Sequence, residues 1–172
     1  MRSFFMKSER ISFGIWNNED LELARSLWGD RQVTKYISAK GYFDDNEIIQ
    51  RLNKEINNDK VYNVQYWPIF ITATGEFIGC CGLRPYDEKN NIYELGIHLL
   101  PKFWGQGLAS EAMQRVIKYA FEELKVNNLF AGHNPKNTSS KKVLEKNGFY
   151  FVREEFYEPT GLMHPSYLYK KD

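Results

Sequence analysis

Cysteine and histidine are scarce in this chain of 172 residues, which has two of the first and three of the second. His98, His133 and His164 are scattered and show no ligand spacing, so the sequence carries no signal for a metal site. Cys80 and Cys81 are neighbours inside an apparent strand; their side chains leave on opposite faces, and a mutual disulfide would be strained. A reducing cytoplasm is therefore expected. Long apolar runs are missing as well. No window approaches a membrane span, and the run at Met1–Lys7 is too short for a secretory signal, so a soluble intracellular chain is expected. Charge of one sign is not in excess either: 23 Lys and Arg against 22 Asp and Glu leave +1, which removes the electrostatic case for nucleic acid or an anionic membrane as partner.

Aromatic residues, by contrast, make up 16% of the chain and argue against disorder. The length fits one domain, 1–172, able to bury about two-thirds of its unfolded surface. No internal repeat or low-complexity tract divides it. Ile11, Phe13 and Ile15 alternate as a first strand, and Asn17–Asp20 caps a helix reaching Trp28. Asp44 or Asp45 caps a second helix to about Asn58. Trp67–Thr72 and Phe77–Leu83 form a hairpin through Thr74-Gly75-Glu76, and a polar loop from Pro85 to Asn91 leads into a strand from Ile92 to Leu99. The clearest helical period is Leu108, Ala109, Ala112, Met113, Val116, Ile117, Ala120, Phe121 and Leu124. A short strand at Leu129–Ala131 follows, then a helix from Thr138 to Asn147 ended by Gly148. Two last strands, Phe149–Val152 and Tyr167–Tyr169, are separated by a long connection. The order β-α-α-β-β-β-α-β-α-β-β predicts a mixed sheet with helices on both faces.

The stretch from Glu94 to Glu111 organises the rest. Gly105 and Gly107 let the backbone approach a ligand closely, and the helix that follows offers unpaired N–H groups and the positive end of its dipole. Phosphate is the natural guest. The dinucleotide fingerprint fits poorly, because Ser110 stands where it needs a third glycine, and the P-loop's Gly-Lys-Ser/Thr is absent.

Three segments resemble the GNAT superfamily of acetyl-CoA-dependent N-acetyltransferases. They are Phe77–Leu83, Pro101–Ala112 and Asn137–Phe149, in the family's order, and the likeness extends from Arg10 to Lys170. The wording Phe103-Trp104-Gly105-Gln106-Gly107 and Val143-Leu144-Glu145-Lys146 is similar to the branch containing ribosomal-protein N-terminal acetyltransferases. The resemblance implies an α/β (α+β) fold: a mixed, mostly antiparallel central sheet of about seven strands with helices on both faces. It implies transfer of acetyl from acetyl-CoA, with no metal, to a primary amine by direct attack in a ternary complex. The acceptor would be a protein N-terminus, a polyamine or an antibiotic-like amine, and the chain a monomer or homodimer.

The same resemblance assigns residues. Ile97, His98 and Leu99 would lend backbone groups to pantetheine, and the amides of Gly105, Gln106, Gly107, Leu108, Ala109 and Ser110 would hold the pyrophosphate. Glu94 would take the amine proton through water, with His98 on the same face as second choice. Asn137 would bond pantetheine and Ser140 would supply a proton to the leaving thiolate, although both residues also suit helix capping. Many family members place a tyrosine acid where this chain has Leu144, which leaves Ser140, Tyr167, Tyr169 or water for that role. Trp104 is read as packing. The acceptor is expected between the first two helices and the final hairpin, near Trp28, Tyr36, Phe43, His133 and His164, with packing the commoner role for each aromatic. The rivals are a catalytically silent acyl-CoA-binding module and a mononucleotide-binding protein using the same turn.

Overall fold

The computed structural model describes residues 1–171. In chain order the elements are β1 (Met6–Lys7), β2 (Ile11–Phe13), α1 (Leu21–Trp28), α2 (Arg31–Thr34), α3 (Asp45–Tyr62), β3 (Tyr66–Ile71), β4 (Phe77–Asp87), β5 (Ile92–Leu99), α4 (Leu108–Glu122), β6 (Asn128–Gly132), α5 (Thr138–Lys146), β7 (Phe149–Tyr157) and β8 (Leu162–Tyr169), with 3-10 turns at Asn18–Asp20 and Pro101–Phe103. The strands form one open sheet in the order β1-β2-β3-β4-β5-β6-β8-β7. Only β5 and β6 run parallel; every other neighbouring pair is antiparallel.

The sheet has eight strands where the sequence predicts about seven, the addition being the two-residue β1. Ile15 lies outside β2 and is exposed, so the first strand is shorter than its alternation implies. The expected long connection before Tyr167 is instead a hairpin, with β7 and β8 paired from Phe149–Tyr169 to Tyr157–Leu162. Apolar patterning hides this hairpin because β7 is the sheet edge and most of its residues, Arg153 and Glu154 among them, face solvent. β4 likewise runs through Pro85 to Asp87, taking in the start of the predicted polar loop.

Capping sets the helix ends. Asp44 rather than Asp45 starts α3: its carboxylate accepts the Glu47 N–H at 2.8 Å, and the Glu47 carboxylate accepts the Asp44 N–H at 3.1 Å. Asn63, at φ 59°, ends it four residues later than expected. No helix among the described residues is long and apolar enough to cross a membrane.

Two cores flank the sheet. On one face α4 packs Leu108, Ala112, Met113 and Val116 over Cys81, Leu83, Leu95 and Leu99; on the other, α1 and α3 pack Leu27, Trp28, Ile48 and Leu52 over Tyr66 and Cys80. The adjacent cysteines thus enter different cores, both as free thiols, and burial pushes the Cys80 thiol up to about 12. Gly79 and Gly82 explain the Phe77–Leu83 motif. A Cβ on Gly79 would stand 2.1 Å from the His98 carbonyl oxygen, and one on Gly82 would stand 2.0 Å from that of Gln65. Both positions let a neighbouring backbone close in.

The pairing of β5 positions the site. Its β4 edge is bonded all the way to Leu99, whereas its β6 edge pairs only at Ile92–Asn128, Tyr93–Leu129 and Glu94–Phe130. Beyond Glu94 the two parallel strands part. The main-chain groups of Ile97 and Leu99, which point away from β4, are left facing an opening, while those of Gly96 and His98 belong to the β4 ladder; Glu94 sits where the opening begins.

Candidate active site

The opening leads to the glycine turn. Gly105 and Gly107 adopt φ +73° and +76°, a region that favours glycine, and turn the chain from the 3-10 turn at Pro101–Phe103 into α4. Six consecutive N–H groups, Gly105 to Ser110, meet no acceptor among the described residues; the first bond of the helix is Glu111 N–H to the Gly107 carbonyl, at 3.2 Å. A Cβ on Gly105 would meet nothing within 4 Å, and one on Gly107 only a guanidinium nitrogen of Arg10 at 3.6 Å. There is room in front of these amides, and their summed partial charge is positive.

Arg10 went unnoticed in the sequence because it lies 96 residues before Gln106. Its guanidinium donates to the Gln106 carbonyl at 3.0 Å and, through Nε, to Glu111 at 2.7 Å, while its own N–H also reaches Glu111 at 2.7 Å. Burial works to raise the Glu111 carboxyl, but these bonds and one from the Ser8 hydroxyl outweigh it and hold the group below the usual carboxylate range. The turn is braced by an ion pair and carries a cation beside its free amides.

Trp104 does not pack as expected. Its ring is half exposed, and its indole N–H donates to the Leu99 carbonyl at 2.8 Å, tying the turn to the end of β5. That carbonyl is thereby occupied, and the Leu100 N–H is bonded to Ile78.

On the α1–α3 face of β5, Glu94, Gly96 and His98 lie together by strand alternation. The Tyr66 ring covers Gly96, where a Cβ would stand 2.3 Å from it, and the Tyr66 hydroxyl donates to Glu94 at 3.3 Å. Trp28 Nε1–H donates to His98 Nδ1 at 3.1 Å, which places the imidazole proton on Nε2. Burial, then the charges of Arg51 and Arg84, push His98 well below its ordinary value and keep it neutral. The second candidate base thus has its lone pair engaged, whereas one Glu94 carboxylate oxygen has no partner among the described residues.

Asn137 and Ser140 lie at the N-terminal end of α5, which packs against α4 and β7. Asn137 caps the helix by accepting the Ser140 N–H at 3.2 Å, while the Ser140 hydroxyl has no partner among the described residues. Leu144 is buried in the core. Tyr167, buried behind it, donates its hydroxyl to His133 Nε2 at 3.1 Å, because His133 Nδ1 is held by the Asn134 carbonyl at 2.7 Å. Asn147, a second residue the sequence did not flag, fixes α5 against α4. Its amide donates to the Ser110 hydroxyl at 3.1 Å and accepts from Gln114 at 2.8 Å.

The expected acceptor side is only partly open. Trp28 is a core residue, Phe43 packs half-buried against the same core, and His133 and His164 are bonded in place, the latter to Thr160 at 2.6 Å. Tyr36 lines a groove of about 230 Å³ with Lys35, Asn134, Lys136 and Thr160, where the Ala39 N–H bonds the Pro159 carbonyl.

The family model described as an acetyltransferase (GNAT) domain matches residues 10–150. The chain belongs to the GNAT acetyltransferase family. This GNAT protein is 33% identical over 145 residues to an uncharacterized N-acetyltransferase, p20, of Bacillus licheniformis, covering 83% of this chain and 80% of that one. It is 31% identical over 159 residues to the FsC-acetyl coenzyme A-N(2)-transacetylase of Aspergillus fumigatus, covering 88% and 67%. Its fold matches that of the ribosomal-protein alpha-N-acetyltransferase RimL with a TM-score of 0.81 at 15% identity, over 98% of this chain and 94% of that one.

All three histidines of this GNAT fold are held below their ordinary value of 6.5, chiefly by burial. Unfolding therefore takes up protons, so stability is full above about pH 7 and declines as the pH falls through about 6.5. The urea midpoint is expected to be lower at pH 5.5 than at pH 8. An equal or higher midpoint at pH 5.5 would contradict these histidine environments.

Proposed function

We propose that this acetyltransferase joins the acetyl group of acetyl-CoA to a primary amine, either a peptide N-terminus or a small-molecule amine, by direct attack in a ternary complex. Acetyl-CoA supplies the activated acetyl thioester. The amides of Gly105, Gln106, Gly107, Leu108, Ala109 and Ser110 hold the diphosphate, with Arg10 adding a cation at the rim. The free edge of β5 aligns the pantetheine arm through the main chain of Ile97 and the N–H of Leu99, whose carbonyl Trp104 occupies, while His98, with its backbone in the β4 ladder, flanks the arm. Asn137 offers its amide to the same arm. Glu94 removes the amine proton through water, and the unbonded Ser140 hydroxyl protonates the leaving sulfur. The cytoplasm is the proposed compartment.

The observation that carries this reading is the pairing of six unbonded amides with a strand edge that opens toward them. The names of the relatives support the donor and leave the acceptor wide, from a protein N-terminus for RimL to the N(2) of FsC.

Gly107→Val tests the cradle. A β-branched residue is strained at φ +76° and projects into the space before the amides, so the acetyl-CoA Kd is expected to rise at least ~30-fold, about 2 kcal/mol. Gly161→Val is the control: Gly161 has φ +71° in the β7–β8 turn, where a Cβ would meet nothing within 4 Å, and should stay within about threefold of wild type. Calorimetry giving Gly107→Val a Kd within about threefold would contradict the reading. Tight binding with no thiol release across a broad amine panel would favour the silent module.

A further inference from the structure

The acceptor side of Glu94 carries more positive charge than its own packing neutralises. Arg84 lies directly across from Glu94 in the β4–β5 register, and its guanidinium carbon is 4.0 Å from the centre of the Tyr66 ring. Arg51 comes from α3 to the same ring at 5.6 Å and to the Trp28 ring at 5.3 Å. That ring bonds Glu94 through its hydroxyl, so both guanidiniums stand within one aromatic side chain of the proposed base.

Three cations, Arg51, Arg84 and Lys54, share two carboxylates, Glu55 and Glu94. Glu55, fully buried, meets Arg84 at 3.4 Å, but its other oxygen is committed to the Tyr66 N–H at 2.8 Å. Arg51 makes no hydrogen bond or ion pair among the described residues, and neither guanidinium bonds Glu94. The Nε atoms of both arginines are enclosed without a partner among the described residues. Burial, then the neighbouring Arg84, push the Arg51 pKa down against the pull of Glu55, whereas Arg84 itself is raised, against burial, by Tyr66, Glu55 and Glu94. A planar anion would satisfy the unused donors and relieve the repulsion, and carboxylate matches guanidinium geometry.

We infer that the acceptor is an amine carrying a carboxylate within a few bonds of its nitrogen, the carboxylate seated on Arg51 and Arg84 while the amine faces Glu94. This rests on the acetyl-transfer reading above. The chemistry balances as in that reading: the N–C bond forms as the C–S bond breaks, one amine proton leaves by way of Glu94, and one proton reaches the sulfur. The same positive field holds the acceptor amine neutral, as attack requires, and repels a polyamine.

The test offers the enzyme acetyl-CoA with an equimolar mixture of matched probes, β-alanine with propylamine, γ-aminobutyrate with butylamine, and spermidine, and counts acetylated products by mass spectrometry. Carboxylate products are expected to exceed their matched amines at least ~10-fold. Arg51→Gln, which removes no hydrogen bond, should bring that ratio below about 3, and Arg51→Lys should restore part of it. Propylamine or spermidine products in the majority, no acetylated carboxylate at all, or a ratio untouched by Arg51→Gln would overturn the inference. Acetyl-CoA calorimetry separates the two failures. A wild-type enzyme that does not bind acetyl-CoA sinks the transfer reading and this inference with it, whereas one that binds it and prefers amines lacking a carboxylate sinks the inference alone.

Discussion

Glu94→Gln is expected to lower kcat/KM about 100-fold, at the low end of what a positioned general base contributes, while leaving the acetyl-CoA Kd within about threefold. The amide keeps a carbonyl to accept from Tyr66, so the 3.3 Å contact and the cover over Gly96 survive, and only the ability to take a proton is lost. The pH–rate profile should lose its acidic limb with it, because that limb reports protonation of the base. Steady-state kinetics on both proteins checks this. A fall of less than about fivefold would remove Glu94 from the base role, since general bases ordinarily contribute far more.

Glu55→Ala is expected to destabilise the fold by about 3–5 kcal/mol, the range seen when one partner of a buried ion pair is removed. The substitution strips the Tyr66 N–H of its acceptor and leaves Arg84 with no anion in contact, next to an Arg51 that already lacks one. Glu55→Gln keeps an acceptor for that N–H and should cost less. Urea denaturation of the three proteins measures both. A loss below about 1 kcal/mol for Glu55→Ala, the size of an ordinary exposed pair, would mean that the two guanidiniums are adequately solvated as they stand.

The α4 period and the two-glycine turn were readable because each is local. Nine apolar positions recur at helical spacing, and Gly105 and Gly107 do at their own φ angles what their residue type suggests. The same holds for the Phe77–Leu83 strand, whose glycines mark close backbone approach. What stayed hidden is non-local or carries no apolar signal. β7 is an exposed edge, so its polar residues read as loop although they pair along the whole of β8. Arg10 acts on the turn from the bend between β1 and β2, and Asn147 reads as a helix stop although it also joins α5 to Ser110. The Arg51–Arg84 pair could not be seen either, since only α3 and β4 packing on Tyr66 brings the two together. Local motifs thus mark the proposed donor side, and long-range contacts the proposed acceptor side.

The most direct measurement follows the backbone amides of ¹⁵N-labelled protein during titration with acetyl-CoA. The resonances of Gly105, Gln106, Gly107, Leu108, Ala109 and Ser110 are expected to show the largest shifts, and their hydrogen exchange should slow as each free N–H gains an acceptor. If those six stay in place while amides elsewhere move, the diphosphate is held at another site and the cradle after Trp104 is only a turn.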